Sequence, residues 1–451
     1  MNFNENNSLE TITAEFKQQG IEFVRVLFCD NANIIRGKAF HIETLAEHWR
    51  SGVSIAVAQQ AIPVMYDVVT PATGLTPVGE AWLVPDWSTL KILPYAPTHA
   101  SVLGDMYRFE EPWSFCPRNF LKQAIAVAAD LGFTVKAAFE NEFYLLKSIT
   151  DGIVPADNTP FAATLGMDSN YVVIDQISRA LIAQGIKVER YYPESGPGQQ
   201  EISIGYTEAL TAADQQIRFR ETVRGVALAA GLTASFLPKI FDDQAGSGCH
   251  LHLSLWQGEQ NQIYDSDQPG ELSAVAKAFI AGILAHLPGL MALTVPSVNS
   301  YRRLLPHCWS GAFQAWGMDN REAAVRVPSN FGLPSPTHVE VKTVDASANP
   351  YLALGAVIYA GLDGIQKGLP LPEPISIDPG SLTSTERESL NIHPLPNSLG
   401  TAIACLEKDE VLLSGLGADL AKAFIAVRKA EWEVLQGKSL EEEVNLLLTK
   451  Y

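Results

Sequence analysis

The stretch 135–146 constrains the fold more than any other part of this 451-residue chain, because it is apolar and yet carries two carboxylates. Its aromatic and branched residues predict a buried strand, in which side chains two positions apart point to the same face. Glu140 and Glu142 therefore share one face, where their negative charges repel each other. A divalent cation between them would remove that repulsion. A single Glu-x-Glu pair is, however, more often a solvated strand face, so this stretch alone leaves both readings open.

Three further segments offer ligands of the same kind. Glu194 precedes a Pro/Gly turn and Glu201 begins an apolar strand, so a loop and a strand end can each present a carboxylate. His250 and His252 alternate on one strand face after a glycine-rich stretch, and Glu340 lies in another alternating segment. Carboxylate oxygens combined with a single imidazole suit Mg²⁺ or Mn²⁺ better than Zn²⁺.

A cationic group follows the histidines along the chain. It consists of Arg302, Arg303, Arg321 and Arg326. Guanidinium groups near metal-binding carboxylates are what phosphoryl transfer requires, because its catalysis depends mostly on positioning and charge neutralisation. Each arginine taken alone could equally be a surface or salt-bridge residue. The conjunction of these clusters in apolar or glycine-rich surroundings favours a metal-dependent enzyme that uses a nucleotide.

The composition excludes some classes of partner. A formal net charge of −18 and a pI near 4.9 argue against nucleic acid and anionic membranes. The five cysteines are widely spaced and form no zinc-binding or disulfide pattern. The N-terminal residues lack the basic and apolar regions of a secretory signal, so a cytoplasmic location is expected. The most apolar stretch, 278–296, predicts a buried helix rather than a membrane span.

Over nearly its whole length the chain resembles the glutamine synthetase family. The matching segments are Glu-Asn-Glu-Phe-Tyr (140–144), Pro-Gly-Gln-Gln-Glu (197–201), Gly-Ser-Gly-Cys-His-Leu-His-Leu-Ser-Leu (246–255), Asn-Ser-Tyr-Arg-Arg-Leu (299–304), Asn-Arg-Glu-Ala-Ala-Val-Arg-Val-Pro (320–328) and Ser-Ala-Asn-Pro-Tyr-Leu-Ala-Leu (347–354). The resemblance implies an α+β fold, with a small N-terminal β-grasp domain over residues 1–105 and a large catalytic domain with a curved antiparallel sheet over residues 106–451. It also implies a homo-oligomer, commonly a dodecamer of two hexameric rings, with active sites between neighbouring subunits.

The resemblance further implies roles for individual residues, with ATP as co-substrate and two or three Mg²⁺ or Mn²⁺ ions. The implied metal ligands are Glu142, Glu194 and Glu201 for one ion and Glu140, His250 and Glu340 for another. The residues implied at the nucleotide are His252, Ser254 and Arg326, and those implied at the substrates are Glu142, Gly246, Arg303, Trp309 and Lys342. Catalytic roles are implied for Arg321 and Arg326 at the phosphoryl group. Asp30 matches an N-terminal aspartate that reaches across a subunit interface to the amine, although an aspartate at a strand end is also a common turn residue.

Departures from the family pattern concern the substrates. Members that use ammonia carry a glutamate in a flexible loop where this chain has Trp309. An indole cannot accept a proton at neutral pH, but it can stack on an alkyl chain or contact a cationic amine. The runs 315–321 and 244–248 resemble the branch that joins glutamate to putrescine and other polyamines, and Ala245 replaces the usual asparagine. Lys342 replaces the usual arginine near the acid, which keeps the charge but loses the bidentate fork.

The expected function is an ATP-dependent ligase that joins the γ-carboxylate of glutamate to a polyamine or another small primary amine through a γ-glutamyl phosphate. One alternative is a glutamine synthetase that uses ammonia and tolerates Trp309. Another is a catalytically silent relative. Asp30 is the one residue that the sequence offers as a base for the amine.

Overall fold

The computed structural model describes residues 9–150, 152–267, 271–330 and 337–451, and its strands form two sheets. The strands are β1 (Phe23–Cys29), β2 (Ile35–His41), β3 (Val53–Ala56), β4 (Glu80–Ile92), β5 (His99–Arg108), β6 (Glu111–Pro112), β7 (Thr134–Ser148), β8 (Val154–Pro155), β9 (Val188–Pro193), β10 (Gln199–Ile204), β11 (Thr207–Glu208), β12 (Thr233–Ser235), β13 (Cys249–Gln257), β14 (Gln260–Asn261), β15 (Phe313–Met318), β16 (Ala323–Val327), β17 (Val339–Val341) and β18 (His393–Pro394). The helices are α1 (Leu9–Gln19), α2 (Leu45–Ser51), α3 (Pro117–Asp130), α4 (Thr164–Ala183), α5 (Ala209–Ala229), α6 (Ala274–Thr294), α7 (Pro350–Lys367), α8 (Ser384–Ser389), α9 (Leu399–Leu406), α10 (Glu410–Leu416), α11 (Ala418–Leu435) and α12 (Leu440–Leu447).

The smaller sheet belongs to the N-terminal part of the chain. Its strand order is β2-β1-β5-β4-β3, with β6 paired to β5, and β1 runs parallel to β5. Ile12 and Phe16 of α1 are buried with the apolar side chains of these strands in a core separate from the main one. The predicted domain boundary between residues 105 and 106 lies inside β5, and the division of the chain at that point stays a prediction.

The larger sheet carries the candidate site. Its order is β18-β15-β16-β17-β13-β7-β10-β9, with shorter strands paired to β7 and β13. As expected, its pairs are antiparallel, except that β15 and β16 are parallel. The small N-terminal β domain and the larger domain of strands and helices confirm the predicted α+β class.

The central strand β7 has two chemically different faces, because side chains alternate along a strand. Its odd-numbered residues, among them Phe139 and Phe143, belong to the main hydrophobic core with residues of α3 and α5. Asn141 on this face is fully buried, and its amide exchanges hydrogen bonds with Gln216 of α5 at 2.7 and 2.8 Å. The even-numbered residues lie on the opposite face, which is where the carboxylates are.

Helix α6 packs in the core of the larger domain. It is the one helix in the described part of the chain that is long and apolar enough to cross a membrane, and 61% of its most apolar window is buried inside the protein. Gly282 lies against Ala360 and Gly364 of α7 so closely that no side chain would fit. The burial confirms the prediction of a core helix, which continues through Pro288.

Candidate active site

The register of the large sheet brings the separate sequence clusters into one row. The cross-strand partners are Glu201 and Glu142, Glu140 and His250, His252 and Glu340, and Glu340 and Arg326. Directly opposed residues on neighbouring strands have Cβ atoms about 5 Å apart, so their side chains can act on one ligand. Groups up to 200 positions apart in the sequence, Glu140 and Glu340, therefore become neighbours through strand pairing.

Glu140, His250 and Glu340 form a compact set of metal-ligand atoms. One carboxylate oxygen or ring nitrogen from each residue lies within 4.8 Å of the others. His250 Nδ1 is 3.2 Å from Glu140 Oε2 and 3.3 Å from Glu340 Oε1. Two carboxylates and one imidazole converging on one point are donors that suit a divalent cation such as Mn²⁺ or Mg²⁺.

Glu340 is also neutralised by two cationic side chains. Arg326 Nη1 donates to Glu340 Oε2 at 2.9 Å, and Lys342 Nζ donates to Oε1 at 3.3 Å. Burial opposes ionisation of Glu340, but Lys342 and then His250 hold its pKa well below the ordinary value. Glu340 is therefore ionised in spite of being 1% exposed. Arg326 is thereby placed beside the candidate metal ligands, and its role at the phosphoryl group stays a prediction.

Glu194 and Glu201 have little positive charge to offset them among the described residues. Burial, and then the nearby carboxylates of Glu140 and Glu142, raise the pKa of Glu201 to about 10. Burial, and then Glu142, raise the pKa of Glu194 to about 7. Tyr192 OH donates to Glu201 Oε2 at 2.6 Å. Such an excess of buried carboxylates fits a bound divalent cation, because the cation would stabilise their ionised form.

The glycine-rich segment 244–248 lies next to these carboxylates and is held by two strands. Tyr144 OH of β7 donates to the carbonyl oxygen of Ala245 at 2.6 Å, and Gln199 Nε2 of β10 donates to that of Gly246 at 3.0 Å. The backbone N–H of Gly248 donates to Glu142 Oε2 at 2.8 Å. The segment is therefore positioned by side chains of the same face that carries the metal-ligand candidates.

Within this segment, Gly246 packs against the side chain of Arg303. A Cβ at Gly246 would be 2.5 Å from Arg303 Cγ, so the close approach requires glycine. Arg303 is 6% exposed, and its Nη2 donates to the carbonyl oxygens of Lys342 and Val344 at 3.3 and 3.2 Å. Its Nε has no hydrogen-bond partner within the described ranges. A buried guanidinium with a free N–H can receive an anion such as a substrate carboxylate.

The predicted nucleotide residues His252 and Ser254 follow His250 on the same face of β13. His252 Nε2 is 3.6 Å from Glu140 Oε2. Ser254 is 6% exposed, and its Oγ accepts a hydrogen bond from Trp256 Nε1 at 2.9 Å. These residues therefore extend the row of functional groups along the strand, away from the glycine-rich segment.

Sequence analysis missed an aromatic pair at the end of this row. The rings of Tyr206 and Trp256 are stacked, with centroids 6.4 Å apart and an interplanar angle of 21°. The ammonium group of Lys136 lies 4.0 Å from the centroid of the Trp256 ring. The alternation of positions 250, 252, 254 and 256 could have indicated Trp256, whereas Tyr206 lies in a loop with no comparable pattern.

Trp309 belongs to a second aromatic group that the sequence did not reveal. It is 54% exposed, and its ring meets the edge of Phe161 at a centroid distance of 6.2 Å. Phe161 is 46% exposed and meets Tyr192 edge to face at 6.0 Å. We name Phe161, Tyr192 and Trp309 the aromatic wall. Through Tyr192 this wall is hydrogen-bonded to Glu201, at the border of the acidic cluster.

Asp30 occupies a different environment from the one expected. It is fully buried, and its carboxylate accepts hydrogen bonds from the backbone N–H groups of Ala32 and Ile34 at 2.9 and 2.8 Å and from Arg36 Nε at 2.6 Å. Burial raises the pKa of Asp30, and Arg36 opposes this change. The geometry argues against a role across a subunit interface, because the carboxylate is enclosed and satisfied. Asp30 instead stabilises the turn between β1 and β2.

Two of the four arginines are not brought into the row. Arg321 is exposed in the loop between β15 and β16. Arg302 turns towards α12, where its Nη2 and Nε donate to the buried carboxylate of Glu443 at 2.8 and 2.9 Å. Arg302 therefore anchors the C-terminal helix and leaves Arg303 as the arginine of this pair that lies near the candidate site.

Comparison with protein families gives a match over almost the entire chain. The model described as glutamine synthetase, catalytic domain, matches residues 114–447, and the glutamine synthetase N-terminal domain model matches residues 7–112. Both halves of the chain therefore match parts of a single known architecture.

The names of individual relatives describe different activities. Type-1 glutamine synthetase 1 of Dictyostelium discoideum is 35% identical over 96% of this chain and 90% of that protein. Gamma-glutamylpolyamine synthetase of Streptomyces coelicolor is 36% identical over 94% of this chain and 93% of that protein. Among solved structures, a GmaS/ADP complex superposes with a TM-score of 0.85 and 31% identity, covering 97% of this chain and 99% of that one.

Proposed function

The chain belongs to the glutamine synthetase family and is an ATP-dependent ligase that forms carbon–nitrogen bonds; we propose that it joins glutamate to an organic amine rather than to ammonium. The product would be a γ-glutamyl amide, together with ADP and phosphate. The similarity to a gamma-glutamylpolyamine synthetase supports a polyamine or another small primary amine as the second substrate.

The observation that carries this proposal is the aromatic wall beside the acidic cluster. An ammonium ion has no alkyl chain to pack on an aromatic ring, whereas an alkyl ammonium can stack its chain on one ring and place its charge over another. The large exposed fractions of Phe161 and Trp309 leave ring surface free for such contacts.

The acid and the nucleotide would lie on either side of this cluster. Arg303, with its buried and unpartnered Nε, would bind a carboxylate of glutamate next to Gly246. His252 and Ser254 would lie beside the nucleotide, with the Tyr206–Trp256 pair providing a flat surface for its base. The family uses ATP and divalent metal ions.

The candidate metal ligands would hold cations at two places, one near the nucleotide phosphates and one near the reacting carboxylate of glutamate. Glu140, His250 and Glu340 would hold a cation near the nucleotide phosphates, and Glu142, Glu194 and Glu201 would hold another near the reacting carboxylate. Such cations would supply charge neutralisation at the phosphoryl group, and Arg326 would add a guanidinium to it. The number and identity of the ions are part of the proposal.

The reaction would proceed in two steps. The γ-carboxylate of glutamate attacks the terminal phosphoryl group of ATP and gives an acyl phosphate and ADP. An uncharged amine then attacks the acyl carbon, and phosphate leaves. The site must exclude water between the two steps, because hydrolysis of the acyl phosphate would waste the ATP.

The proposal is tested with purified protein, Mg²⁺ or Mn²⁺, ATP and glutamate. ADP release is measured with ammonium, methylamine, ethanolamine, putrescine and spermidine in turn, and each product is identified by mass spectrometry. We expect a higher kcat/KM with at least one organic amine than with ammonium. A higher kcat/KM with ammonium would establish a glutamine synthetase instead, and no turnover with any amine would establish a silent relative.

We also propose that this chain forms a homo-oligomer. Members of this family are typically oligomeric, and the small domain exposes apolar side chains, including Phe109 at 85% and Val78 at 82%. We expect a homo-oligomer, and a dodecamer of two hexameric rings in particular. Native mass spectrometry would measure the subunit number, and a monomer at working concentration would contradict this expectation.

A further inference from the structure

We propose that the carboxylate of Glu322 accepts the proton that the amine must lose, in place of the glutamate that is missing at position 309. This inference rests on the proposed function, since it assumes an amine that arrives protonated at neutral pH. Position 309 carries an indole, which has no basic nitrogen. Asp30, the base suggested by the sequence, is buried and satisfied elsewhere.

Glu322 reaches position 309 from another part of the chain. Its Oε1 accepts a hydrogen bond from the backbone N–H of Trp309 at 2.8 Å. The carboxylate of Glu322 is therefore hydrogen-bonded to Trp309, the residue that stands where a glutamate base was expected, at the end of the aromatic wall. Its second oxygen makes no hydrogen bond within the described ranges and is the one that can meet a substrate.

The loop that carries Glu322 is well anchored, as a catalytic group requires. Asn320 Oδ1 accepts from the Glu322 N–H at 3.0 Å. The amide of Asn320 donates to the carbonyl oxygens of Ile375 and Ile377 at 2.8 and 3.0 Å. The loop between β15 and β16 is thus tied to the connector that follows α7, and this contact limits how far Glu322 can move.

The charged groups around Glu322 are compatible with proton transfer. Burial raises the pKa of Glu322; the Trp309 N–H opposes this, Asp378 adds to it, and His307 and Lys342 oppose it. His307 is itself engaged, because its Nδ1 lies 2.6 Å from Asp378 Oδ2. The result is a half-buried carboxylate whose pKa lies above its ordinary value and closer to that of a useful base.

The position relative to both substrates also fits. Trp309 belongs to the proposed amine-binding wall, and Lys342 belongs to the candidate acid pocket beside Arg303. Glu322 accepts a hydrogen bond from the Trp309 backbone, and Lys342 is close enough to lower the pKa of Glu322, so Glu322 lies near both residues. A base at this place can take a proton from an amine that approaches the acyl carbon.

The proton balance of the second step then closes. The protonated amine transfers one proton to the Glu322 carboxylate and becomes nucleophilic. Its nitrogen forms the bond to the acyl carbon, the carbon–oxygen bond to phosphate breaks, and the second proton leaves with inorganic phosphate. Glu322 afterwards releases its proton to solvent.

A purely structural role for Glu322 makes a different prediction. The carboxylate could serve only to hold the Trp309 backbone, whose φ of 52° is uncommon for a residue other than glycine. A glutamine side chain has an oxygen that can accept the same N–H, but it cannot accept a proton. Glu322→Gln therefore separates the two roles, and Glu322→Asp keeps a base at shorter reach.

The test compares two nucleophiles in the full-length enzyme. Hydroxylamine is mainly uncharged at neutral pH and needs no base to become a nucleophile, whereas alkyl amines and ammonium do. For Glu322→Gln we expect kcat with the best amine to fall by roughly 100- to 10,000-fold, while γ-glutamyl hydroxamate formation stays close to wild type. The lost rate should return as the pH rises, because the free amine then forms without help. Glu322→Asp should recover part of the amine activity.

The matched control is Glu388→Gln, which removes an exposed carboxylate on α8. Equal losses with hydroxylamine and with the amine in Glu322→Gln would overturn the proposal, as would an unchanged amine rate. If the wild type prefers ammonium, the proposed function fails, but the same comparison of ammonium with hydroxylamine still tests Glu322. If Glu322→Gln does not fold, as judged by circular dichroism, the pH profile of Glu322→Asp decides: a profile identical to wild type would overturn the proposal.

Discussion

Removal of the Trp309 side chain should change the choice of amine more than the rate of the enzyme as a whole. Trp309→Ala deletes a ring that is 54% exposed and in edge-to-face contact with Phe161. Each methylene group of the amine that packs on this ring contributes about 0.8 kcal/mol. A cation over an exposed ring contributes about 0.5–1 kcal/mol.

These contributions set the size of the expected effect. With one or two methylene groups on the ring they amount to about 1.3–2.6 kcal/mol, or roughly a 10- to 80-fold decrease in kcat/KM for an alkyl diamine. Ammonium has no alkyl chain and should lose only the cation contribution, roughly 2- to 5-fold. Trp309→Phe should retain part of the effect, because it keeps a ring.

The assay measures kcat/KM for putrescine, methylamine and ammonium in Trp309→Ala, Phe161→Ala and the double variant. Because the two rings touch, the double variant should lose less than the sum of the single variants. Trp82→Ala is the matched control, since Trp82 is 45% exposed on β4 of the small domain. Equal losses for putrescine and ammonium would refute the reasoning, because they would show that the ring acts on the common chemical step.

Three further outcomes are expected. Asp30→Asn should destabilise the protein by about 1–3 kcal/mol, because it weakens charge-assisted hydrogen bonds, and should leave the KM for the amine unchanged. Urea unfolding measures the first effect and steady-state kinetics the second. A raised KM with unchanged stability would restore the amine-site role of Asp30. Gly246→Ala should raise the KM for glutamate more than the KM for ATP, because the added Cβ would overlap Arg303; equal changes would contradict the placement of the acid. His286 lies between Asp409 and Asp363, at 2.7 and 3.1 Å; burial lowers its pKa, but these carboxylates outweigh burial and raise it above 6.5. The contribution of His286 to the free energy of unfolding should therefore be complete below pH 6.5 and be lost as the pH rises through the raised pKa. His286→Gln should flatten the pH dependence of the free energy of unfolding in this window. An unaltered slope would argue against the ion pairs.

Alternation along strands explains how much of the site could be predicted from the sequence. In β7 and β13, which residues share a face follows from a period of two, whatever the rest of the fold does. Glu140 and Glu142, and His250 and His252, could therefore be grouped from the sequence, and the resemblance of the surrounding segments indicated the family.

Contacts between distant segments could not be predicted in this way, because they depend on strand pairing, loop path and burial. The enclosure of Asp30 depends on the β1–β2 turn closing around its carboxylate, and Arg302 is drawn away from the candidate site by Glu443 of α12. Phe161 and Glu322 meet Trp309 only because two loops converge there. The sequence by itself determined the family, the strand faces and the metal-ligand candidates, since these follow from local periodicity and short motifs. Only the tertiary structure decided which carboxylate lies beside the aromatic wall, because that depends on contacts that no local pattern encodes.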